Sequence, residues 1–323
     1  MSVEEFTKTL NEWAAERIPY LFLVDFEMDK PLVYPLHEIK PDTILYSINA
    51  STNCIPGAID KKTIDFIKFP LSYHHYKKKY DEVHAHLAYG DSYLTNLTIK
   101  TKVRTDLSFR EIFFLSQAKY KLLFENNFLV FSPETFVRME EGKIYAFPMK
   151  GTIDASIPGA REKILNDPKE MAEHVTIVDL LRNDLSEVAE NVQVTRFRYV
   201  DEIRTTHKDL LQVSSEIRGD LPVGYIQHIG DILLKLLPAG SVSGAPKRKT
   251  LEIIRAAEKE PRGYYTGVMG IFDGNVLESG VMIRFMEYVG NDLYYRSGGG
   301  ITIQSNAERE YQEAIDKIYV PLN

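Results

Sequence analysis

Lys150 is the residue whose neighbours most strongly suggest chemistry. It lies in the run Phe147-Pro148-Met149-Lys150-Gly151-Thr152, between a proline that fixes φ and a glycine that permits unusual backbone angles. Most lysines are solvated, so a surface amine on a tight turn is the ordinary interpretation. A lysine held firmly at a site can instead be a nucleophile. The other reactive residues of the chain must decide between the two.

Three glutamates suggest a second kind of chemistry. Glu310 and Glu313 are three residues apart in a segment with helical periodicity, so both project from one face. Glu173 lies near the start of another predicted helix, soon after Lys150. A solvated acidic face would explain the pair alone, whereas carboxylates from two separate helices suit Mg²⁺, which keeps waters and leaves room for a substrate oxygen. Both interpretations are open at this level.

A glycine run precedes the acidic helix. Ser297-Gly298-Gly299-Gly300-Ile301 follows a predicted strand, and three glycines in succession let backbone N–H groups approach a ligand closely. Such a nest suits a carboxylate, although a flexible turn explains the same composition. The run is therefore a candidate contact for an anionic ligand.

The elements that must hold these residues are predicted to be hairpins with helices between them. Aromatic and β-branched runs around Asn- and Gly-containing turns predict hairpins at 121–131 and 136–147. Lys150 is then expected just past the end of a strand, on a loop with rigid support. Antiparallel hairpins with interspersed helices favour an α+β fold over a doubly wound parallel sheet. Further helices are predicted at 71–88, from the cap Asp167, at 246–258 and from 305 or 306, and strands at 20–24, 210–219, 268–272, 279–288 and 292–296.

Length and composition limit the classes of function. A chain of 323 residues with 44% hydrophobic content can bury a sizeable core, as two domains or one large one. A net charge of −7 without a long basic run argues against a nucleic-acid partner. The chain has neither an apolar run of about 18 residues nor a signal-peptide pattern. With Cys54 as the single cysteine, we expect a cytoplasmic protein without disulfides or a membrane partner.

Ordered motifs from about Tyr73 onward make the chain similar to a known family. They are Gly90–Thr98, Ser132-Pro133-Glu134, Pro148–Thr152, Glu173-His174, Ile177–Asp184, Gly240–Lys247, Arg262–Gly267, Ile283-Arg284 and Gly298–Glu313. The chain resembles the chorismate-utilising enzymes: the large subunits of anthranilate synthase and aminodeoxychorismate synthase, with isochorismate and salicylate synthases. This resemblance implies one large domain, in which two antiparallel β-sheets form a sandwich flanked by helices. Within it, 1–70 would be a shortened strand-rich region and 71–323 the chorismate-binding catalytic region.

The resemblance also implies a role for each candidate residue. Glu173 and Glu313 would bind Mg²⁺, with Glu310 helping through water, and the metal would hold the ring carboxylate of chorismate. The catalytic residues would be Lys150, Glu173 and His207. The residues implied to bind substrate are Gly151 and Thr152 along the ring, Tyr265, Arg284 and the backbone of Gly298, Gly299 and Gly300 at the enolpyruvyl carboxylate, and Lys247, which could equally brace a helix start.

Two positions discriminate among the branches of that family. Anthranilate synthases typically carry alanine where this chain has Lys150, and aminodeoxychorismate synthases carry lysine. In the lysine branch the amine attacks C2 as the 4-hydroxyl leaves, and ammonia then adds at C4 and expels the lysine. Such a nucleophile must be neutral, so we expect a depressed pKa for Lys150. Leu94 stands where water-adding branches place a lysine, which argues against isochorismate and salicylate synthesis.

The lysine branch implies amination of chorismate to 4-amino-4-deoxychorismate, for 4-aminobenzoate and folate biosynthesis. Cys54 lies in no nucleophile context, so ammonia is expected from solution or from a separate glutamine amidotransferase subunit. Component I of anthranilate synthase, in tryptophan biosynthesis, is the alternative within the family. A catalytically silent chorismate-binding subunit is the alternative from another class.

Overall fold

Two antiparallel β-sheets organise the chain in the computed structural model, which describes residues 1–54, 65–203 and 209–321. Each sheet has nine strands within those residues. The strands are β1 Tyr20–Val24, β2 Leu32–Pro35, β3 Ile44–Ile48, β4 Ser51–Thr52, β5 Phe66–Phe69, β6 Leu94–Thr105, β7 Tyr120–Phe124, β8 Phe128–Ser132, β9 Thr135–Glu140, β10 Lys143–Ala146, β11 Met149–Asp154, β12 Glu190–Ile203, β13 Leu210–Asp220, β14 Gly244–Ala245, β15 Val268–Phe272, β16 Leu277–Val281, β17 Phe285–Val289 and β18 Asp292–Ile301.

Helices flank the two sheets. They are α1 Val3–Ala15, α2 Tyr73–Tyr89, α3 Phe109–Leu115, α4 Ala160–Asn166, α5 Pro168–Ser186, α6 Ile229–Leu236, α7 Gly240–Ser243, α8 Lys247–Glu258 and α9 Ala307–Asp316. The predicted α+β fold, with two antiparallel sheets flanked by helices, is confirmed. Among the described helices, none combines the length and the apolar character that a membrane crossing requires.

The strand order shows how the N-terminal part joins the rest. The first sheet has the order β11-β13-β10-β9-β16-β15-β1-β2, with β12 paired to β13. The second has the order β14-β6-β18-β17-β8-β7-β3-β4, with β5 paired to β6. Residues 1–70 therefore contribute strands to both sheets. The division at 70/71 within a single domain stays a prediction.

Strand β1 shows how the core is built. All five of its residues are buried, as the apolar run predicts. Leu21 and Leu23 belong to a cluster that contains side chains from both sheets. Tyr20, Phe22 and Val24 face the opposite way and pack in a cluster that includes side chains of α1 and α6. A strand covered on both faces requires a continuous apolar sequence rather than an alternating one.

Two parts of the chain differ from the prediction. Helix α1 was not predicted, although Ser2 and Glu5 form a reciprocal capping box at its start. The single strand expected at 279–288 is wrong, because β16 and β17 lie in different sheets. The chain turns between them at Arg284, whose φ is 53°. This turn moves the chain from one sheet to the other.

The other predicted elements are found close to their expected positions. Helix α2 covers the segment predicted at 71–88 and ends at Gly90, whose φ of 92° allows the left-handed cap. The hairpins expected at 121–131 and 136–147 are β7–β8 and β9–β10. Asp167 caps α5 by accepting hydrogen bonds from the backbone N–H groups of Lys169 and Glu170.

A buried ion pair joins α8 to β6 and to the loop that leads to Tyr265. The side chains of Arg262 and Glu258 are 1% and 2% exposed and lie 2.7 Å apart. Arg262 also donates to the carbonyls of Val242 at 2.8 Å and Asn96 at 2.7 Å. All three groups lose this donor if the guanidinium is removed, and Glu258, which keeps a hydrogen bond from the N–H of Thr98 at 2.8 Å, becomes a buried charge without a counter-ion.

We therefore expect Arg262→Met to lower the free energy of unfolding by about 3–5 kcal/mol. The measurement is urea denaturation followed by tryptophan and far-UV signals. Lys249→Met is the control. It removes an exposed cation from α8, the helix that carries Glu258, where Lys249 pairs with Glu252 at 3.1 Å. This substitution should leave the urea midpoint unchanged. Equal midpoints for the two variants would contradict the expectation.

Candidate active site

A cavity of about 500 Å³ is lined by residues of both sheets and of α5 and α9. This volume suits a small-molecule ligand. Most of the predicted site residues line it, namely Lys150, Gly151, Thr152, Glu173, Tyr265, Arg284, Gly298, Gly300, Glu310 and Glu313. Residues far apart in sequence are thus brought to one place by the sheet order.

Lys150 lies just past the end of β10, as predicted, but it belongs to strand β11, so its predicted position on a loop is wrong. The pairing of β11 with β13 shifts register between Met149 and Thr152, because Lys150 and Gly151 together oppose one residue of β13. Such a bulge bends a strand and re-aims its side chains. The amine of Lys150 lies 2.7 Å from Glu173 Oε2, with 32% of the side chain exposed.

The charge state of Lys150 differs from the expectation. Burial is the largest single influence and lowers the pKa of Lys150, but the carboxylates of Glu173, Glu313 and Glu170 raise it by more in sum, so the pKa lies above its ordinary value. The predicted depressed pKa is therefore wrong for this state of the chain. An adjacent carboxylate stabilises the ammonium form more than desolvation opposes it.

Glu170 is a cavity residue to which no role in the site was assigned from sequence. Glu170 lies three residues before Glu173 on α5, which is the spacing of Glu310 and Glu313 on α9. This repeated spacing could have identified Glu170 as a site residue from the sequence. A Cβ atom on Gly151, whose φ is 86°, would lie 2.9 Å from Glu170 Oε2. The positive φ favours glycine at this position, and a larger side chain would also displace this carboxylate.

Helix α9 supplies two carboxylates and a lysine to the same wall. A Cβ atom on Gly299 would lie 3.6 Å from Glu310 Oε2, 3.7 Å from Glu313 Oε1 and 3.6 Å from Lys317 Nζ. Lys317 pairs with Glu313 at 2.7 Å. Burial raises the pKa of Glu310. For Glu313 burial also raises the pKa, but Lys317, Lys150 and Lys169 together lower it by more, so the pKa lies below its ordinary value. Gly299 thus adjoins the acidic pair without lining the cavity.

The carboxylates fit Mg²⁺ in donor type and number. Glu173, Glu310 and Glu313 offer only oxygen ligands, and Mg²⁺ is usually held by one or two protein carboxylates together with waters and substrate oxygens. Within residues 1–54, 65–203 and 209–321, no three acidic, histidine or cysteine side chains lie close enough to hold a metal by themselves. Lys150 and Lys317 instead neutralise the carboxylates of Glu173 and Glu313. A metal would therefore compete with these lysines.

A second group of lining residues carries positive or hydrogen-bonding character. Tyr265 is 3% exposed, and burial raises its pKa to about 12, so its hydroxyl stays a donor. The guanidinium of Arg284 lies 5.2 Å from the ring centroid of Tyr319. Ser297 Oγ is buried and makes no hydrogen bond within the described part of the chain. These groups could together receive a carboxylate.

The glycine run forms a strand rather than a nest. Gly298, Gly299 and Gly300 continue β18 and pair with Thr98, Leu97 and Asn96 of β6. The expected nest of successive backbone N–H groups is therefore wrong. A Cβ atom on Gly298 would lie 2.4 Å from the carbonyl oxygen of Leu97, so glycine serves the close approach of two strands. Strand β17 pairs with β18 only as far as Arg296, which leaves the glycine edge open on that side.

Comparison with known proteins identifies the family to which this geometry belongs. Residues 38–323 match the family described as chorismate binding enzyme. The chain belongs to this family. Chorismate is the substrate of the chorismate-binding enzymes, and a cavity with cationic and hydrogen-bonding groups suits that dianion.

Relatives within the family carry different names. An uncharacterized PabA-like protein of Pasteurella multocida is 48% identical over 323 residues and is covered along its full length, as is this chain. Aminodeoxychorismate synthase component 1 of Klebsiella aerogenes is 33% identical, over 77% of this chain and 57% of that protein. Anthranilate synthase component 1 of Archaeoglobus fulgidus is 36% identical, over 71% of this chain and 57% of that protein.

A solved structure supports the fold assignment. The crystal structure titled as a 2,3-dihydroxybenzoate-specific isochorismate synthase from Bacillus anthracis matches with a TM-score of 0.74 and 19% identity. The match covers 98% of this chain and 88% of that one. At this identity the likeness concerns the fold alone, and it extends over both sheets.

Lys247 is a predicted site residue that lies away from the cavity wall. Lys247 Nζ donates to the carbonyl of Leu236 at 3.0 Å and lies 3.3 Å from Asp184 Oδ1. In this chorismate-binding enzyme it braces the start of α8, which was the second of its two predicted roles. His207 lies outside the described residues. Its predicted catalytic role stays a prediction.

Glu134 is a further cavity residue to which no role was assigned from sequence, although its Ser-Pro-Glu motif was noted. Its carboxylate accepts a hydrogen bond from the hydroxyl of Ser241. Burial raises the pKa of Glu134, and Ser241, Arg284 and Lys317 offset this only in part. A raised pKa favours the protonated carboxyl, which can donate a proton to a bound ligand.

Proposed function

We propose that this chain is the chorismate-aminating subunit of an aminodeoxychorismate synthase. It would replace the 4-hydroxyl of chorismate by an amino group from ammonia, giving 4-amino-4-deoxychorismate and water. The observation that carries the proposal is the position of Lys150, whose amine lies in the cavity wall beside Glu173. A lysine at this place favours the lysine branch of the family over the alanine branch.

The residues of the cavity suit the two displacements of this reaction. Lys150 Nζ would form a bond to C2 while the bond from C4 to its hydroxyl breaks. Glu134 would give its proton to that hydroxyl, which leaves as water. Ammonia would then bond to C4 and the bond from C2 to Lys150 would break, with loss of one proton from nitrogen. Two easier displacements thus replace one difficult displacement.

Binding and charge balance would fall to the other lining residues. Arg284, Tyr265 and Ser297 would receive the enolpyruvyl carboxylate, where the Arg284 fork can bind both oxygens. Mg²⁺ held by Glu173 and Glu313, with Glu310 helping through water, would supply positive charge for the ring carboxylate. Occupation of Glu173 by a cation would also weaken its hold on the proton of Lys150, since that carboxylate favours the ammonium form.

The biological setting follows from the reaction proposed. Ammonia would come from a separate glutamine amidotransferase subunit, because Cys54, the single cysteine, is half-buried and donates to the carbonyl of Tyr46 outside the cavity. The product would serve 4-aminobenzoate and folate biosynthesis in the cytoplasm. Anthranilate synthesis is the second candidate, favoured by the 36% identity to the Archaeoglobus fulgidus protein.

One incubation separates the candidates. Purified protein, chorismate, Mg²⁺ and excess ammonium at alkaline pH should consume chorismate and give a product that yields 4-aminobenzoate only after an aminodeoxychorismate lyase is added. Boiled protein and omission of ammonium are the controls. Anthranilate fluorescence would refute the proposal in favour of the second candidate. Intact chorismate would indicate a silent chorismate-binding subunit.

A further inference from the structure

The bulge in β11 is the local feature that brings Lys150 into the cavity. Met149 pairs with Ser214, and Thr152 pairs with Gln212, so β11 uses one residue more than β13 over this stretch. Successive side chains of a regular strand point to opposite faces. Lys150 and Gly151 together oppose a single residue of β13, so the side chains before and after the bulge do not keep the alternation of a regular strand. The bulge must therefore be held in place for Lys150 to be aimed.

The backbone before the bulge is fixed by an ordinary bond between strands. The N–H of Ser215 donates to the carbonyl of Pro148 at 3.0 Å. After the bulge, the carbonyl of Gly151 accepts instead from a side chain, Gln212 Nε2, at 2.8 Å. The amide of Gln212 thus gives this carbonyl a side-chain donor next to the register shift.

Gln212 makes a second contact with the same segment. Its Oε1 accepts a hydrogen bond from the hydroxyl of Thr152 at 3.0 Å. Both halves of one amide therefore bind two successive residues that follow Lys150. Gln212 is itself half-buried and lines the cavity. Gly151 has no side chain and a φ of 86°, so its own backbone is less restricted than that of other residues.

We infer that Gln212 is a positioning residue that fixes the β11 bulge and thereby sets where Lys150 Nζ lies. The role deepens the proposed function, on which its catalytic consequence rests. The Gly151 carbonyl belongs to the Gly151–Thr152 peptide, so the Gln212 amide holds the backbone directly after Lys150, and this backbone carries the amine that lies 2.7 Å from Glu173 Oε2. Loss of the amide should leave the cavity in place but let Lys150 adopt other positions.

The test uses Gln212→Met, which keeps the length of the side chain and removes both hydrogen bonds. We expect kcat for chorismate consumption with ammonium to fall about 10- to 100-fold, since a displacement of about 1 Å at a reacting group has an effect of that order. The KM for chorismate should change less than about threefold, because the binding groups Arg284 and Tyr265 are untouched. Gln212→Glu, which can accept from Thr152 but cannot donate to Gly151, should behave like the methionine variant.

A second readout does not depend on the reaction. Pulse acylation of the free protein with acetic anhydride, followed by mass spectrometry, reports the reactivity of Lys150 relative to the exposed Lys8 on α1. Gln212→Met should raise the relative reactivity of Lys150 at least about threefold, because the amine is no longer held against Glu173. Gln193→Met is the matched control, since Gln193 is an exposed residue of the adjacent strand β12, opposite Arg218.

The outcomes distinguish this role from the proposed function. Unchanged kcat and unchanged Lys150 reactivity would overturn the positioning role. A fall in kcat accompanied by a lower unfolding midpoint, without a selective change at Lys150, would make Gln212 merely structural and would also overturn it. If the wild-type protein converts chorismate to another product, the amination proposal fails, while the acylation of Lys150 still decides whether Gln212 holds the bulge.

Discussion

Lys150→Ala is expected to lower the rate of chorismate amination by about 10³-fold or more, the scale seen when a nucleophile is removed. The affinity for chorismate should change far less, because Arg284, Tyr265 and Ser297 line the cavity independently of Lys150. The measurements are the steady-state rate with saturating ammonium and chorismate binding by calorimetry. A rate within tenfold of wild type would contradict the assignment of Lys150 as nucleophile.

Lys150→Arg separates covalent from electrostatic action. Arginine keeps the positive charge beside Glu173 but is never neutral at working pH, so it cannot attack the ring. If Lys150 is the nucleophile, the arginine variant should be as slow as the alanine variant. If the amine only balances the charge of Glu173, arginine should retain most of the rate. The two substitutions together therefore test the chemical step that the resemblance implies.

The raised pKa of Lys150 makes this comparison necessary. In the described state the amine is an ammonium ion paired with Glu173 at 2.7 Å, and an ammonium is not a nucleophile. The proton must therefore leave before attack, after the carboxylate has found another cationic partner. The opposite shift of the pKa was expected because burial was considered without the carboxylates that surround the amine.

The hairpins and helices were predicted well because the residues that determine them lie within them or directly beside them. The Asn- and Gly-containing turns lie inside their own hairpins, and Asp167 caps the helix that follows it directly. The prediction of two sheets rested on resemblance to a family, because the order of strands in a sheet depends on contacts between distant parts of the chain. The prediction of a single strand at 279–288 was wrong for the same reason. The residues near Arg284 do not indicate that the chain passes from one sheet to the other there.

The site was predicted as a set of residues but not as an arrangement. Glu173, Glu310 and Glu313 were named from helical spacing and motif order, and they do line one cavity with Lys150. Their lysine partners were not predicted. Lys317 and Glu313 are four residues apart, and this spacing is equally common for ion pairs on exposed helix surfaces. The bulge at Gly151 was not predicted either, because one extra residue in a strand does not change the composition of the segment.

The carboxylates of α9 give the second large effect that we expect. Glu313→Gln should lower the affinity for Mg²⁺ about 100-fold, in line with the losses that follow damage to the shell of a metal site. The reason is that amide oxygen is neutral and leaves Lys317, which pairs with Glu313 at 2.7 Å, as an uncompensated cation beside the metal. Calorimetric titration of Mg²⁺ into the protein, with and without chorismate, measures this directly.

Glu308→Gln provides the matched control for this substitution. Glu308 lies in the first turn of the same helix but is exposed and does not line the cavity, so its loss should leave Mg²⁺ binding unchanged. Because Lys150 and Lys317 occupy the carboxylates in the free chain, the wild-type affinity should also rise when chorismate adds a carboxylate oxygen to the site. Equal Mg²⁺ affinities for the Glu313 and Glu308 variants would show that α9 does not hold the metal, and the acidic pair would then be only a counter-charge for the two lysines.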